Sequence, residues 1–182
     1  MVRPPLWSIF FTFFLVSCGS GVRYADTLPL SDLAFRVGSG RLTGFVPAGW
    51  TTATPARGDE ASGSLVLARG DSLRMVVRAL TLDSTAASYF ADRGPGELAR
   101  LNRTLRDTSS AGRIGGISRF SINDRDYAAY ELHDGNGRSR VVLFRWGDSW
   151  FECEAVALRK LSGNKSYDDL FSSQQTLLGS LR

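Results

Sequence analysis

Few residues of this 182-residue chain are suited to acid–base, nucleophilic or metal chemistry. The sequence contains one histidine, His133, and two cysteines, Cys18 and Cys153. A mechanism of the Ser-His-Asp or Cys-His type would have to use His133, which precedes Asp134 at a predicted hairpin end, where an exposed polar residue is the ordinary expectation. A metal site made of several cysteines and histidines is excluded. We therefore expect no catalytic residues, no metal and no cofactor.

The glycine-rich and acidic segments also lack the spacings of known motifs. Residues 38–40 and 94–96 carry paired glycines without the Lys-Ser or Lys-Thr that follows in a phosphate-binding loop. Ser118 lacks the second glycine of a nucleophile elbow and is more typical of a strand residue. Residues 134–137 begin like a calcium loop, but Arg145 occupies the twelfth position, where a bidentate glutamate is required. These absences favour binding over catalysis.

Lysine is scarce, and positive charge is not concentrated in one region. The chain has 22 basic and 18 acidic residues and a formal charge of +4, and only two of the basic residues are lysines. The arginines are scattered among acids, without the basic stripe that is typical of a nucleic-acid-binding protein. Nucleic acid is therefore not an expected partner.

The sequence has no run of about twenty apolar residues, the length that a membrane-spanning helix requires. Its N-terminal apolar stretch, residues 6–16, follows Arg3 and would rise only about 16 Å as a helix. This arrangement is typical of a secretory signal. The stretch leads into Leu15-Val16-Ser17-Cys18. If the stretch is an ordinary secretory signal or an uncleaved anchor, Cys18 has no role of its own.

The N-terminal segment resembles the lipobox of bacterial lipoproteins, which has an aliphatic residue three positions before the cysteine and a small residue directly before it. The resemblance implies that residues 1–17 are cleaved, that the Cys18 thiol receives a diacylglyceryl group, and that the new amine is acylated, for example with palmitate. Two or three acyl chains give a lasting membrane attachment. Gly19 is not the aspartate associated with inner-membrane retention, so the resemblance implies the outer membrane, facing the periplasm.

The rest of the chain is expected to form a tether and one domain. Residues 18–31 carry Gly, Ser, Asp and Pro without apolar periodicity, which favours a flexible tether with a reach of about 20 Å. Residues 32–182 are long enough to bury a single core. With Cys18 modified, Cys153 has no intrachain disulfide partner, and the alternation of residues 151–155 places it on an apolar face. We expect a buried, unreactive thiol.

Turn residues and hydrophobic periodicity predict both strands and helices. Strands are expected at residues 42–46, 65–69, 73–80, 117–122, 126–132, 138–146 and 150–157. Helices are expected from Asp83 or Ser84 to about Asp92, from Pro95 with a stripe of Leu98, Leu101 and Leu105, and from Ser166 with Asp169 completing a capping box. The order of these elements predicts an α+β fold, in which helices pack on a single antiparallel sheet.

The last four predicted strands form an antiparallel meander, and their turns predict a register. Residues 70–71 and 147–148 are two-residue hairpin signals. A two-residue turn at 147–148 places Phe144 opposite Phe151, Val142 opposite Cys153, and Arg145 opposite Trp150. The first two pairs are predicted to lie in the core, and the third is a candidate cation–π contact.

Three segments of this domain resemble the PsbP/Mog1-like family of small α+β domains. They are the Phe-Val-Pro-Ala-Gly-Trp of residues 45–50, the Ile-Gly-Gly of residues 114–116, and the Leu-Gly-Ser-Leu-Arg of residues 178–182. The resemblance covers residues 35–182 approximately. It implies an α+β sandwich and a role in binding or assembly.

The chain is therefore expected to be a membrane-anchored envelope lipoprotein that binds a protein partner and is not an enzyme. A possible partner-binding face consists of Arg74, Arg78, Arg119, Arg145 and Trp150, since arginine and tryptophan carry much of the energy of interfaces. The alternative for this face is that Glu152 and Glu154 neutralise its arginines and that helices cover its aromatic rings. The alternative functions are a carrier of lipid or another apolar ligand, and a hydrolase that uses Ser118 or His133.

Overall fold

A computed structural model describes Tyr24 and residues 27–54, 63–107, 112–135 and 137–182. The predicted signal peptide and the predicted lipidation site, Cys18, lie outside these residues. Within them, none of the helices combines the length and the apolar character that crossing a membrane requires.

The described residues form ten strands and three helices. The strands are β1 (Leu30–Val37), β2 (Leu42–Pro47), β3 (Thr51–Thr52), β4 (Leu65–Arg69), β5 (Leu73–Leu80), β6 (Arg113–Ile114), β7 (Ser118–Ile122), β8 (Arg125–Asp134), β9 (Gly137–Trp146) and β10 (Ser149–Ala157). The helices are α1 (Ser84–Arg93), α2 (Pro95–Asp107) and α3 (Asn164–Gly179). Each strand expected from the sequence is present with bounds that differ by at most two residues.

The strands form two sheets, so the prediction of a single sheet is wrong. An eight-stranded antiparallel sheet runs in the order β3-β4-β5-β10-β9-β8-β6, and β7 also pairs with β8. Strands β1 and β2 form a separate two-stranded sheet. The sequence analysis missed β1 because its burial is not a simple alternation: only Phe35 and Val37 are buried in it. Those two side chains join the core of the large sheet.

The large sheet is covered on both faces. One face packs against α3 and the small sheet, and contributes side chains such as Tyr127, Val142, Phe144, Phe151 and Cys153. The other face packs against α1 and α2, and contributes Ala128, Tyr130, Val141, Leu143 and Trp150. The predicted period-two alternation is therefore confirmed along β8, β9 and β10.

The register predicted for the β9–β10 hairpin is confirmed. Phe144 pairs with Phe151, and their rings stack at 5.6 Å; Arg145 pairs with Trp150. Gly147 has a φ of 57°, which suits a tight two-residue turn. The candidate cation–π contact does not form, because the Arg145 guanidinium turns back to donate to the Gly147 carbonyl at 2.8 Å.

Of two other predicted turns, the β7–β8 turn is confirmed and the β4–β5 turn differs in length. The β7–β8 turn has φ values of 49° at Asn123 and 59° at Asp124, which these short polar residues tolerate. The β4–β5 turn is longer than expected, because Arg69 pairs with Leu73 and leaves three residues between them.

Helices α1 and α2 begin where they were predicted to begin. The Asp83 side chain accepts a hydrogen bond from the Ala86 amide at 2.8 Å, and Gly94, with a φ of 77°, follows α1. The predicted leucine stripe of α2 is correct only for Leu98, which is 4% exposed. Leu101 and Leu105 are 46% and 63% exposed. Beyond Leu98 and Ala99, which are buried, α2 presents Asn102 and Arg106 to the sheet, where they contact buried charge.

Helix α3 begins at Asn164, two residues before the predicted start. The Ser166 hydroxyl donates to the Ser162 carbonyl at 3.1 Å instead of capping the helix, and no side chain makes a cap hydrogen bond at the observed N-terminus. The predicted capping box is therefore wrong. The apolar side chains of this C-terminal segment are buried: Tyr167, Leu170, Phe171, Leu177, Leu178 and Leu181.

Candidate binding groove

A buried polar network attaches α2 to the large sheet. Glu152 of β10 is 1% exposed and accepts hydrogen bonds from Arg106 at 2.7 Å, from Asn102 at 3.0 Å, and from Arg78 of β5. Arg106 also donates to Glu154 at 2.9 Å. Two positive and two negative groups thus share the space where a leucine stripe was expected. These directional contacts fix the position of α2.

The ionisation of this network follows from its neighbours. Burial by itself lowers the pKa of Arg106, but the hydrogen bond and charge of Glu154 and the charge of Glu152 outweigh burial, and the pKa is raised. The Tyr130 hydroxyl donates to the Asn102 side chain, and burial raises the pKa of Tyr130. The charged form of Arg106 and the neutral form of Tyr130 are therefore stabilised.

An open groove lies where the junction of α1 and α2 meets the β7–β8 and β9–β10 turns. It consists of two adjoining depressions, of about 580 and 290 Å³, which share Gly94, Pro95 and Asp126 as lining residues. We call this feature the arginine groove, after the four arginines that line it: Arg93, Arg119, Arg125 and Arg145. Trp146 and Phe120 add aromatic surface to its walls.

Positive charge dominates this groove. Asp126 is the single acidic residue among the described residues that line it. In the described part of the chain, no carboxylate lies within ion-pair distance of Arg93, Arg119 or Arg125. Arg145 pairs with Asp148 at 3.1 Å, but that carboxylate is fully exposed, so the pair is weak.

Aromatic rings hold two of the arginines in place without neutralising them. The Arg125 guanidinium lies 3.8 Å from the centre of the Trp146 ring, and that of Arg93 lies 4.4 Å from the Tyr89 ring. Such contacts order a cation and leave its charge available. The Arg119 guanidinium lies against Gly96, where any Cβ atom would overlap it. Glycine at position 96 therefore allows an arginine to rest on the first turn of α2.

The structure separates the five residues of the predicted partner-binding face. Arg119 and Arg145 are exposed and line the arginine groove. Arg78 is bound to Glu152, as the alternative interpretation expected. Trp150 is 2% exposed and packs edge-on against Phe90 of α1, so its ring does not belong to an exposed face.

Arg74 lies on the same strand as Arg78 but away from the groove. It pairs with Val156, near the end of β10 that is remote from Trp150. The sequence analysis missed Arg93 and Arg125 as partners of Arg119. Their positions carried a usable signal, because Arg93 directly precedes the glycine that follows α1 and Arg125 directly follows the β7–β8 turn.

Ser118 and His133 do not form a catalytic pair. Ser118 pairs with Ala129, whereas His133 lies four residues further along β8, which corresponds to about 13 Å. The Ser118 hydroxyl donates to the Ala129 carbonyl, and His133 lies 3.7 Å from Glu131. The described residues also hold no group of three or more side chains arranged to bind a metal ion.

Comparison with known proteins shows which solved structures the fold resembles. No family model matches the chain, and no curated protein matches it in sequence. Cyanobacterial PsbP from Synechocystis is similar in structure, with a TM-score of 0.52 and 15% identity over 92% of this chain and 98% of that one. This similarity establishes a PsbP-like α+β fold, as the sequence predicted, and establishes the fold alone.

Two further structures show weaker likeness. The Ran-binding protein Mog1p of Saccharomyces cerevisiae has a TM-score of 0.45 at 12% identity, over 84% of this chain and 95% of that one. A protein of Bacteroides thetaiotaomicron has a TM-score of 0.41 at 13% identity, over 86% of this chain. The present chain spans about half of that protein, 48% of its length.

Proposed function

We propose that this protein is a lipid-anchored binding module of the bacterial cell envelope, and that its domain docks an acidic segment of a partner protein in the arginine groove. Cys18 carries the lipid and holds the domain near the outer membrane. The observation that supports docking is the excess of four lining arginines over one lining aspartate. The domain acts by binding and not by catalysis.

The chemistry of the groove suits an acidic partner. Arginines without ion-pair partners attract carboxylates over several ångströms, and this steering weakens as salt is added. Rings that already order two of the guanidinium groups reduce the side-chain entropy lost on binding. Trp146 and Phe120 offer apolar area beside the charges, which is the combination found at the centres of interfaces.

Photo-cross-linking in intact cells tests this proposal. One full-length variant carries a photo-reactive amino acid in place of Ser121, an exposed residue that lines the groove. The control carries it in place of Leu33, which is 42% exposed on the small sheet. We expect one protein to be captured from position 121 and not from position 33, through a segment rich in aspartate or glutamate. Equal capture from both positions would contradict the proposal.

Charge reversal identifies the groups responsible. In the presence of the position-121 cross-linker, the double variant Arg93→Glu/Arg119→Glu should reduce capture at least about tenfold. The matched control is Arg113→Glu/Arg159→Glu, which changes the net charge equally at two exposed arginines outside the groove. Arg159 follows the far end of β10, about 30 Å along the strand from the groove. If the control variant loses as much capture, general charge and not the groove is responsible.

A carrier function predicts a different result. Native mass spectrometry of the purified full-length protein would then reveal a stoichiometric apolar molecule, and the cross-linker would capture no protein. That combination of results would replace the docking proposal.

A further inference from the structure

Arg140 of β9 is a buried cation held by neutral groups. It is 3% exposed, and its Nη1 atom donates to the side-chain oxygens of Gln174 at 3.3 Å and Gln175 at 3.0 Å. The rings of Tyr24 and Phe120 lie 4.7 and 5.0 Å from the guanidinium carbon. These contacts fix the guanidinium in one orientation but do not neutralise it.

The charge of Arg140 has no ion-pair partner among the described residues. Glu131 is the carboxylate that acts electrostatically on Arg140, but it forms no hydrogen bond with it. Glu131 instead accepts hydrogen bonds from Tyr24 at 2.6 Å and from Arg138 at 2.7 Å. Burial of an uncompensated cation is costly. Desolvation accordingly lowers the pKa of Arg140 to about 10.

One side of the guanidinium faces a cavity. The Nε and Nη2 atoms have no acceptor among the described residues. They are also not among the fully enclosed nitrogens that lack a hydrogen-bond partner, so both atoms remain accessible. Arg140 lines a cavity of about 200 Å³ together with Tyr24, Gly116, Ser118 and Glu131. The unused N–H groups are therefore the part of Arg140 that a molecule entering this cavity would meet.

We propose that this cavity binds a small carboxylate, whose two oxygens accept hydrogen bonds from Nε and Nη2 of Arg140. These two nitrogens present parallel N–H groups at the spacing of a carboxylate, which gives a strong bidentate pair. The rings of Tyr24 and Phe120 flank the guanidinium and hold it in position for this pair. This site is separate from the arginine groove and does not depend on its function.

Charge and size favour a small monoanion. Buried Arg140 and the half-buried pair of Arg138 and Glu131 together carry one net positive charge, which a carboxylate balances and a phosphate dianion exceeds. A volume of about 200 Å³ corresponds to six or seven water molecules at about 30 Å³ each. Acetate or propionate fits this volume.

Two variants test the site in different ways. Arg140→Met removes the charge and keeps much of the side-chain length, and replacing an uncompensated buried charge with an apolar group need not destabilise the fold. Gly116→Val leaves Arg140 in place and narrows the cavity. A Cβ atom at Gly116 would meet no atom within 4 Å, and its backbone is not in the left-handed region, so valine is compatible with the fold.

The experiment is a titration of the full-length protein in non-ionic detergent micelles with propionate, followed by ligand-observed NMR. Propionamide, which has the same shape without the charge, is the control ligand. We expect saturable binding of propionate, with at least about tenfold weaker binding of propionamide and at least about tenfold weaker binding of propionate to either variant.

Three results with the ligands or with Arg140→Met would overturn the assignment. They are equal binding of propionate and propionamide, unchanged binding to Arg140→Met, and tighter binding of inorganic phosphate than of propionate. If Arg140→Met does not fold, Gly116→Val decides the question, because it retains the cation and adds bulk only at the wall of the cavity. Unchanged binding to Gly116→Val would place the ligand elsewhere.

Discussion

Replacing Glu152 with alanine should destabilise the domain by about 3 kcal/mol. Glu152 is 1% exposed and accepts hydrogen bonds from three groups, two of which are cationic. Alanine would leave Arg78, Arg106 and Asn102 facing an apolar gap between α2 and the sheet. This carboxylate therefore supplements the buried apolar contacts of Leu98 and Ala99 in attaching α2 to the sheet.

The magnitude follows from how completely the partners are buried. Removing one member of a buried ion pair costs about 3–5 kcal/mol, because the other charge stays buried without a partner. The side chains of Arg78 and Arg106 are 33% and 23% exposed, and Arg106 keeps Glu154, so water and Glu154 offset part of the loss. The lower end of the range is expected. For a chain of this size, a loss of about 3 kcal/mol lowers the melting temperature by about 6–12 °C.

Urea denaturation of the full-length protein in detergent micelles measures this effect. The matched control is Glu97→Ala on α2, whose pair with Arg100 involves an arginine side chain that is 60% exposed. The control should lose less than about 1 kcal/mol. A loss below about 1 kcal/mol for Glu152→Ala, or equal losses for both variants, would show that α2 is not held by the buried network.

Three further predictions concern single ionisable or reactive groups. Burial opposes ionisation of Glu131, but hydrogen bonds from Tyr24 and Arg138 hold its pKa below the usual value. Ionised Glu131 therefore stabilises the fold above about pH 4.3, and this contribution is lost as the pH falls through the folded-state pKa. Glu131→Gln should flatten the decline of the urea midpoint on acidification; an unchanged decline contradicts this. Burial raises the pKa of Cys153 to about 12, so iodoacetamide at about pH 8 should modify it only in unfolding urea, and rapid modification of native protein would contradict burial. Cys18→Ser should abolish acyl labelling and release the protein from membranes, whereas unchanged membrane association would exclude the lipid anchor.

Local sequence patterns predicted most of the large sheet. Between residues 117 and 157, apolar alternation and short polar turns specify where each strand begins and which residues pair. The pairing of Phe144 with Phe151 follows directly from a two-residue turn at Gly147. Such information is local, because a hairpin register depends on the turn and its two flanking strands.

Elements whose stability depends on distant partners were predicted less well. Strand β1 was missed because only two of its residues are buried, and these are buried by elements remote in sequence. The stripe of α2 was assigned to leucines because apolar periodicity normally marks the buried side of a helix. Leu98 follows this rule, but the charges of Glu152 and Glu154 bind Asn102 and Arg106 further along the helix. Those two glutamates lie on the sheet, outside the sequence of α2.

In the candidate sites, too, local features were predicted and contacts between distant residues were not. Alternation correctly placed Arg145 and Trp150 on one face of β10 and its neighbour, but it did not indicate that α1 covers Trp150. Arg93 and Arg125 are 32 residues apart in the sequence and line the same groove only because the α1–α2 junction packs beside the β7–β8 turn. Likewise, nothing near Arg140 in the sequence indicates that two glutamines of α3 would be its partners.

By itself the sequence determined the α+β class, the order of the main strands, the tight turns, the scarcity of catalytic groups, and the N-terminal segment that resembles a lipoprotein signal. The tertiary structure decided which faces are covered, which arginines have no carboxylate partner among the described residues, and where cavities remain. The physical reason is one of range. Backbone geometry and side-chain periodicity act over a few residues, whereas burial and charge compensation depend on groups that only the folded chain brings together.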